Sequence, residues 1–123
     1  MEKVVLIIDD SPTFRRIASF NFKSIQGFKK HLEANDGKEG LDLLHSNKVD
    51  LILLDLNMPV MDGFEFLKAK QEVGDLKDIP VIMLTTEGDV KNREKAKELG
   101  ATGFLTKPFN SMQLKQSLKS IFG

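Results

Sequence analysis

Three short unbroken apolar runs, Val4–Ile8, Leu51–Leu54 and Val81–Leu84, constrain this chain more than any other feature. A strand exposed on one face alternates apolar and polar residues, because successive side chains point to opposite sides of the sheet. Runs that do not alternate belong to strands covered on both faces, as in a parallel sheet held between helices. Lys30–Ala34 and Gly103–Thr106 are weaker strand candidates.

Helical patterns fill the intervals. Ser11-Pro12 opens the first, with a capping hydroxyl followed by a proline suited to the first helical turn. Phe14, Ile17, Ala18, Phe22 and Ile25 then recur at spacings of three and four, which predicts one buried face. Asp36 with Glu39, before Leu41 and Leu44, has capping-box spacing, and so does Asp62 with Glu65, around Phe64 and Leu67. Asp89 can cap a helix running to Leu99 and closed by Gly100. Asn110 or Ser111 can cap a last helix carrying Leu114, Leu118 and Ile121. Strand and helix thus alternate five times, which predicts an α/β doubly wound parallel sheet with right-handed crossovers. No linker, repeat or low-complexity tract interrupts the pattern, so residues 1–123 are expected to form one domain around one core. Lys91–Glu98 mixes charges of both signs and reads as a solvated helix face or as part of a partner surface.

Composition removes several classes of function. The chain has no cysteine, so neither disulfides nor thiolate metal ligands are available. Eighteen basic residues balance 18 acidic ones, which argues against binding nucleic acid through a basic surface. The apolar run near the N-terminus is five residues long and is followed by Asp9-Asp10. A signal peptide needs about 7–15 apolar residues and a membrane span about 20. A cytoplasmic location away from membranes is therefore expected.

Chemistry concentrates where the strands end. Sites of open α/β sheets lie beyond the carboxyl ends of the strands. There the first strand runs into Asp9-Asp10, the third into Asp55, the fourth into Thr85-Thr86-Glu87 and the fifth into Lys107-Pro108. Taken singly, each has an ordinary reading. The aspartates can stay in water, cap a helix or begin a turn, Thr85 can bond to backbone, and Lys107 can be a solvated loop lysine. Convergence changes this. Two carboxylates about 5 Å apart repel by about 3 kcal/mol at an effective dielectric near 20, and Lys107 is the one cation expected among them. Such repulsion favours a bound cation or a raised pKa. Ligands that are all oxygen, without His or Cys, suit Mg²⁺. An aspartate, a hard cation, a hydroxyl and a lysine meet in phosphoryl transfer onto a carboxylate. The Lys107-Pro108 bond is of the type that can be cis, which would aim the lysine inward.

On the segments VLIIDDSPTFRR, LILLDLNMPVMDGFEFL, IPVIMLTTE and GATGFLTKPF, the chain resembles the receiver domain of two-component response regulators, most closely the single-domain chemotaxis type. The resemblance spans essentially the whole chain. It implies a flavodoxin-like three-layer (βα)5 fold with strand order 2-1-3-4-5. It also implies Asp55 as phosphoacceptor, Asp10 as direct Mg²⁺ ligand, Asp9 as a carboxylate acting through a coordinated water, and Asn57 as a backbone-carbonyl ligand. Thr85 and Lys107 would meet the phosphoryl group, Pro108 would follow a cis bond, and Phe104 would be the switch aromatic paired with Thr85. Asn57 and Glu87 match positions that influence dephosphorylation. Two residues depart from the best-known chemotaxis members: Phe104 stands in place of Tyr, and Leu56 in place of Trp.

The function implied is a signalling switch, not an enzyme beyond its own phosphotransfer and autodephosphorylation. Asp55 would accept the phosphoryl group from a histidine kinase or a histidine phosphotransfer protein. The surface of the fourth helix, fifth strand and fifth helix would then change its affinity, for a flagellar motor switch protein in the chemotaxis reading, with a phosphatase as a further partner. The molecule is expected to be a monomer. A stand-alone phosphorelay shuttle and a receiver-like adaptor that uses no phosphate are the alternatives. Enzymes on similar folds fit less well. Asp9-Asp10-Ser11-Pro12-Thr13 departs from the Asp-x-Asp-x-Thr of dehalogenase-type phosphatases, and the hydroxyl-rich phosphate loop of a flavodoxin is missing.

Overall fold

In a computed structural model that describes residues 2–86 and 88–123, each apolar run forms a strand, and the weaker candidates complete the sheet. The elements are β1 (Lys3–Ile8), α1 (Pro12–Lys23), β2 (Phe28–Ala34), α2 (Gly37–Ser46), β3 (Leu51–Asp55), α3 (Gly63–Gln71), β4 (Val81–Thr85), α4 (Val90–Glu98), β5 (Gly103–Thr106) and α5 (Ser111–Phe122). The five strands are all parallel and lie in the order β2-β1-β3-β4-β5. This is the flavodoxin-like arrangement that the resemblance implies.

Alternate residues of the unbroken strands feed two separate cores. Leu6, Ile8, Ile52, Leu54, Val81 and Met83 face Leu44 of α2, Phe66 and Leu67 of α3, and Ala96 of α4. Val5, Ile7, Leu51, Leu53, Ile82 and Leu84 face Phe14, Ala18 and Phe22 of α1 and Leu114 and Leu118 of α5. All residues of β3 and β4 are buried, which is why neither strand alternates in sequence. No helix of the described residues is long and apolar enough to cross a membrane.

The caps all form, and one of the two expected capping boxes is incomplete. Ser11, Asp36, Asp62, Asp89 and Asn110 each accept from a backbone N–H in the first turn of their helix. Asp62–Glu65 and Asn110–Gln113 are complete, reciprocal capping boxes. Asp36–Glu39 is half of one, because the Glu39 carboxylate instead accepts from the Asn35 amide at 3.2 Å. Gly100 closes α4 at φ +103°, a left-handed conformation that favours glycine.

Two core expectations shift. Ile17 is 52% exposed. Phe14, Ala18 and Phe22 are four residues apart, so their stripe drifts round a helix of 3.6 residues per turn towards buried Ser19 and away from Ile17. In α3 the fully buried aromatic is Phe66, whereas Phe64 is half-buried with the Lys95 ammonium 4.4 Å from its ring centroid. The charged stretch of α4 is largely solvated, and Ala96 is its one buried residue.

Candidate functional site

Parallel register brings the chemistry to one edge. Ile8 pairs with Leu54, so Asp9, one residue on, stands beside Asp55. Asp55 pairs with Leu84, and Thr85 with Thr106, so Thr85 and Lys107 follow on the next two strands. The ladder runs past the strand ends: Asp9 N–H donates to the Ala34 carbonyl at 3.1 Å, and Lys107 N–H to the Thr85 carbonyl at 2.8 Å.

One carboxylate oxygen from each of Asp9, Asp10 and Asp55 lies within 4.8 Å of the others. Asp9 and Asp55 are buried and Asp10 is exposed. The Lys107 ammonium donates to Asp9 Oδ2 at 2.7 Å and sits 3.9 Å from Asp55 Oδ1. It therefore pairs with the metal-ligand candidate first and with the phosphoacceptor candidate second. The other Asp9 oxygen, Oδ1, accepts from Ser11 N–H at 2.8 Å. Burial, then the charge of Asp9, raises the Asp55 pKa to about 6; Lys107 opposes this, and Asp10 adds to it. Three carboxylates against one ammonium leave negative charge in excess. A donor set made only of oxygen fits a hard divalent cation such as Mg²⁺.

The surroundings hold these groups in place. Behind Asp55, Gly63 N–H donates to the Leu56 carbonyl at 2.9 Å. A Cβ on Gly63 would meet the Asp55 carbonyl oxygen at 2.8 Å and Leu56 Cα at 3.0 Å, so the turn after β3 admits no side chain there. In the same loop Val60 adopts φ +70°, and Met61 N–H donates back to the Pro59 carbonyl at 2.7 Å. This is a γ-turn centred on a β-branched residue, a strained conformation. The Lys107-Pro108 peptide bond is cis. Asn57 is exposed on the loop and lines a small pocket with Asp55, Thr85, Asp89 and Lys107. Glu87 lies outside the described residues.

Three further residues belong to the site although the sequence marks them only as parts of helices. Phe14 places its ring 4.3 Å from the Lys107 ammonium, a cation–π contact, and packs edge-on against Phe109. Arg15 donates through Nη1 to the Asp9 carbonyl at 2.6 Å and pairs through Nε with Glu33 at 3.0 Å. Arg93 donates through Nε to Thr85 Oγ1 and through Nη2 to Thr106 Oγ1, each at 3.3 Å. Lys107 is thus not the one cation near the cluster, although among the described residues neither arginine bonds to the carboxylate of Asp9, Asp10 or Asp55. The i, i+3 and i, i+4 spacing of these residues from their caps was readable. Their reach across to the strand ends was not, because it depends on where the helices dock.

Phe104 is half-buried, packs partly against the α2–α4 side core and lines a surface groove of about 390 Å³ with Arg93, Thr106 and residues of α5.

A family model described as the response regulator receiver domain matches residues 5–119. The chemotaxis protein CheY of Pseudomonas aeruginosa is 37% identical over 118 residues, which cover 96% of this chain and 94% of that protein. A probable transcriptional regulator, ycf27 of Guillardia theta, is 37% identical over 117 residues, which cover 95% of this chain and 44% of that protein. The solved structure of the chemotaxis response regulator CheY4 of Vibrio cholerae matches with a TM-score of 0.90 at 38% identity, over 99% of this chain and 100% of that one. With sheet order, carboxylate cluster and relatives in agreement, the chain belongs to the response regulator receiver domain family of two-component signalling proteins.

Proposed function

We propose that this chain is a phosphorylation-activated switch with Asp55 as its phosphoacceptor. The observation that carries the reading is a buried carboxylate at the end of a central strand, with two further carboxylates within 4.8 Å and an ammonium 3.9 Å away. The phosphoryl donor is a phosphohistidine on a histidine kinase or a histidine phosphotransfer protein. An Asp55 oxygen attacks phosphorus, the P–N bond breaks, its electron pair stays on the imidazole nitrogen, and the product is an acyl phosphate. Lys107 offsets charge on the phosphoryl oxygens, and Thr85 donates its hydroxyl to one of them. Asp10, Asp9 through a water, Asp55 and the Asn57 carbonyl would hold Mg²⁺, which when bound neutralises phosphoryl charge. Of the carboxylates, Asp9 already has both oxygens engaged while Asp10 is exposed, which supports Asp10 as the direct ligand.

Phosphorylation adds about −1.5 to −2 charge at Asp55, by analogy with other phosphorylated side chains. Thr85 is drawn towards it and Phe104 follows, so the face made by α4, β5 and α5 changes. The phosphoryl group shifts a two-state population because it favours one state over the other. The chemotaxis relatives support a flagellar motor switch protein as the output partner in the cytoplasm; a phosphatase that resets the signal is part of the same proposal.

The test uses a small-molecule phosphodonor with Mg²⁺. A mass gain of one phosphoryl group, acid-stable and base-labile, is expected. No gain, or an equal gain in Asp55→Asn, sinks the assignment. Pull-downs with and without beryllofluoride then separate the outputs: a motor protein captured only in the activated sample supports chemotaxis, and a histidine phosphotransfer protein supports a relay.

A further inference from the structure

Thr85 is 4% exposed, so its hydroxyl needs a protein partner, and among the described residues that partner is Arg93. The same guanidinium reaches Thr106 on the neighbouring strand, so one side chain from α4 spans the ends of β4 and β5. Thr85 and Thr106 are register partners, which sets their hydroxyls at a separation the planar guanidinium fork can bridge. Ala96 is the one buried residue of helix α4, so Arg93 adds a polar anchor to a helix with a small apolar contact. Arg93 also lines the groove that Phe104 shares with α5, so it touches both the phosphoryl-contacting threonine and the output face.

We infer that Arg93 is a positioning residue that latches Thr85 in the resting state and sets how readily the switch turns over. This rests on the reading of Asp55 as phosphoacceptor and deepens it. Thr85 has a single hydroxyl oxygen on a β-branched side chain with restricted χ1. Turning that oxygen towards a phosphoryl group on Asp55 breaks the bond from Arg93 Nε. The latch therefore favours the resting state and opposes the phosphoryl group. Its release leaves the guanidinium tied to β5 alone and removes one polar tie between α4 and β4. Arg93 touches none of the three aspartates, so its part is played through Thr85.

The direction of the effect separates this inference from its rival. An arginine that served the phosphoryl group by its charge would weaken binding of a phosphoryl mimic when removed; a latch strengthens binding when removed. The experiment titrates the whole chain with beryllofluoride in excess Mg²⁺ and follows the γ-methyl NMR signals of its five threonines. Arg93→Met keeps the length of the side chain without donors and should tighten beryllofluoride binding about fivefold, the scale of one modest hydrogen bond. In the free protein the Thr85 methyl signal should move towards its beryllofluoride-bound position, which a merely structural role for Arg93 would not produce. Thr106→Val removes the second anchor and should act in the same direction more weakly. Arg93→Lys keeps the charge but not the fork and should fall between. Unchanged or weaker binding in Arg93→Met overturns the latch. A wild-type protein with no response, or an Asp55→Asn variant with the wild-type response, overturns the phosphoacceptor reading instead.

Discussion

Replacing Asp55 with asparagine should make the metal-free protein more stable at neutral pH, although it removes the central residue of the site. The reason is the cost of the Asp55 charge. Its pKa rises from 3.8 unfolded to about 6 folded, mainly through burial and the nearby Asp9. The folded state then binds more protons than the unfolded state between those values, so stability falls as pH rises through the window. Stability associated with protonated Asp55 is fully present below pH 3.8 and is lost as pH passes about 6. At about 1.4 kcal/mol per pKa unit, the charged carboxylate costs about 3 kcal/mol at pH 7.5. Its side chain is 12% exposed, so solvent screening takes little from that figure. Asparagine has nearly the same shape and no charge.

The assay is urea unfolding in excess chelator at several pH values from 4 to 8. The chain has neither Trp nor Tyr, so far-ultraviolet circular dichroism serves as the probe. The difference between wild type and Asp55→Asn is the quantity to read, because it isolates the contribution of this one carboxylate. The variant should lead by about 3 kcal/mol at pH 7.5, and the gap should close towards pH 4. Adding Mg²⁺ at pH 7.5 should raise the wild type much more than the variant, by linkage of binding to folding. A variant as stable as wild type or less so at pH 7.5, or a gap that widens towards low pH, would refute the electrostatic argument.

Three other substitutions probe the supports of the site by the same unfolding assay. Lys107→Met should destabilise by about 2–3 kcal/mol, below the usual range for a broken buried pair because the lysine is 31% exposed, since it leaves the fully buried Asp9 charge without its ammonium. Gly63→Ala should cost about 2 kcal/mol and slow phosphorylation, because the added carbon meets the Asp55 carbonyl and Leu56 Cα, backbone atoms that cannot rotate away. Val60→Asn should stabilise by about 1 kcal/mol, because asparagine tolerates φ +70° where a β-branched residue does not, and Val60, 75% exposed, loses little packing.

Most of the fold could be read from where apolar runs fail to alternate. Leu51–Leu54 and Val81–Leu84 have no polar face because helices cover both sides of β3 and β4. Once the strands are known to be parallel, Asp9, Asp55, Thr85 and Lys107 must share an edge, so the cluster was legible as well. What sequence spacing does not carry is the reach of long side chains. Arg15 and Arg93 look like ordinary surface charges until α1 and α4 are docked, when their guanidinium groups meet the Asp9 carbonyl and the Thr85 hydroxyl. Ile17 turns outward for a related reason: spacings of three and four define a face only to within its drift, and the fourfold repeat of Phe14, Ala18 and Phe22 decides which side turns inward. The strain at Val60 has no local signal, because valine is a poor residue for that conformation. The turn is set by its surroundings, with the Met61 carbonyl accepting from Gly37 N–H at 3.2 Å and Gly63 tied back to Leu56.

The three aspartates hold similar positions but are not equivalent, and the difference lies in their partners. Asp9 is fully buried, yet its charge is matched by the Lys107 ammonium and a backbone N–H, while Arg15 fixes its carbonyl. Asp10 is exposed, and water stabilises its charge. Asp55 is buried with only a long-range partner, since the ammonium that faces it lies 3.9 Å away and is hydrogen-bonded to Asp9 instead. The cluster therefore concentrates its unfavourable energy on one carboxylate. That carboxylate gains most from any event that brings positive charge to the edge of the sheet or turns its own charge outward onto a covalently bound group. A lysine bonded directly to Asp55 would remove the strain and with it the pressure to react. Pairing Lys107 with Asp9 keeps the ammonium within reach of an incoming anion while compensating Asp55 only in part, the arrangement expected of a residue that rests unmodified and responds to a donor.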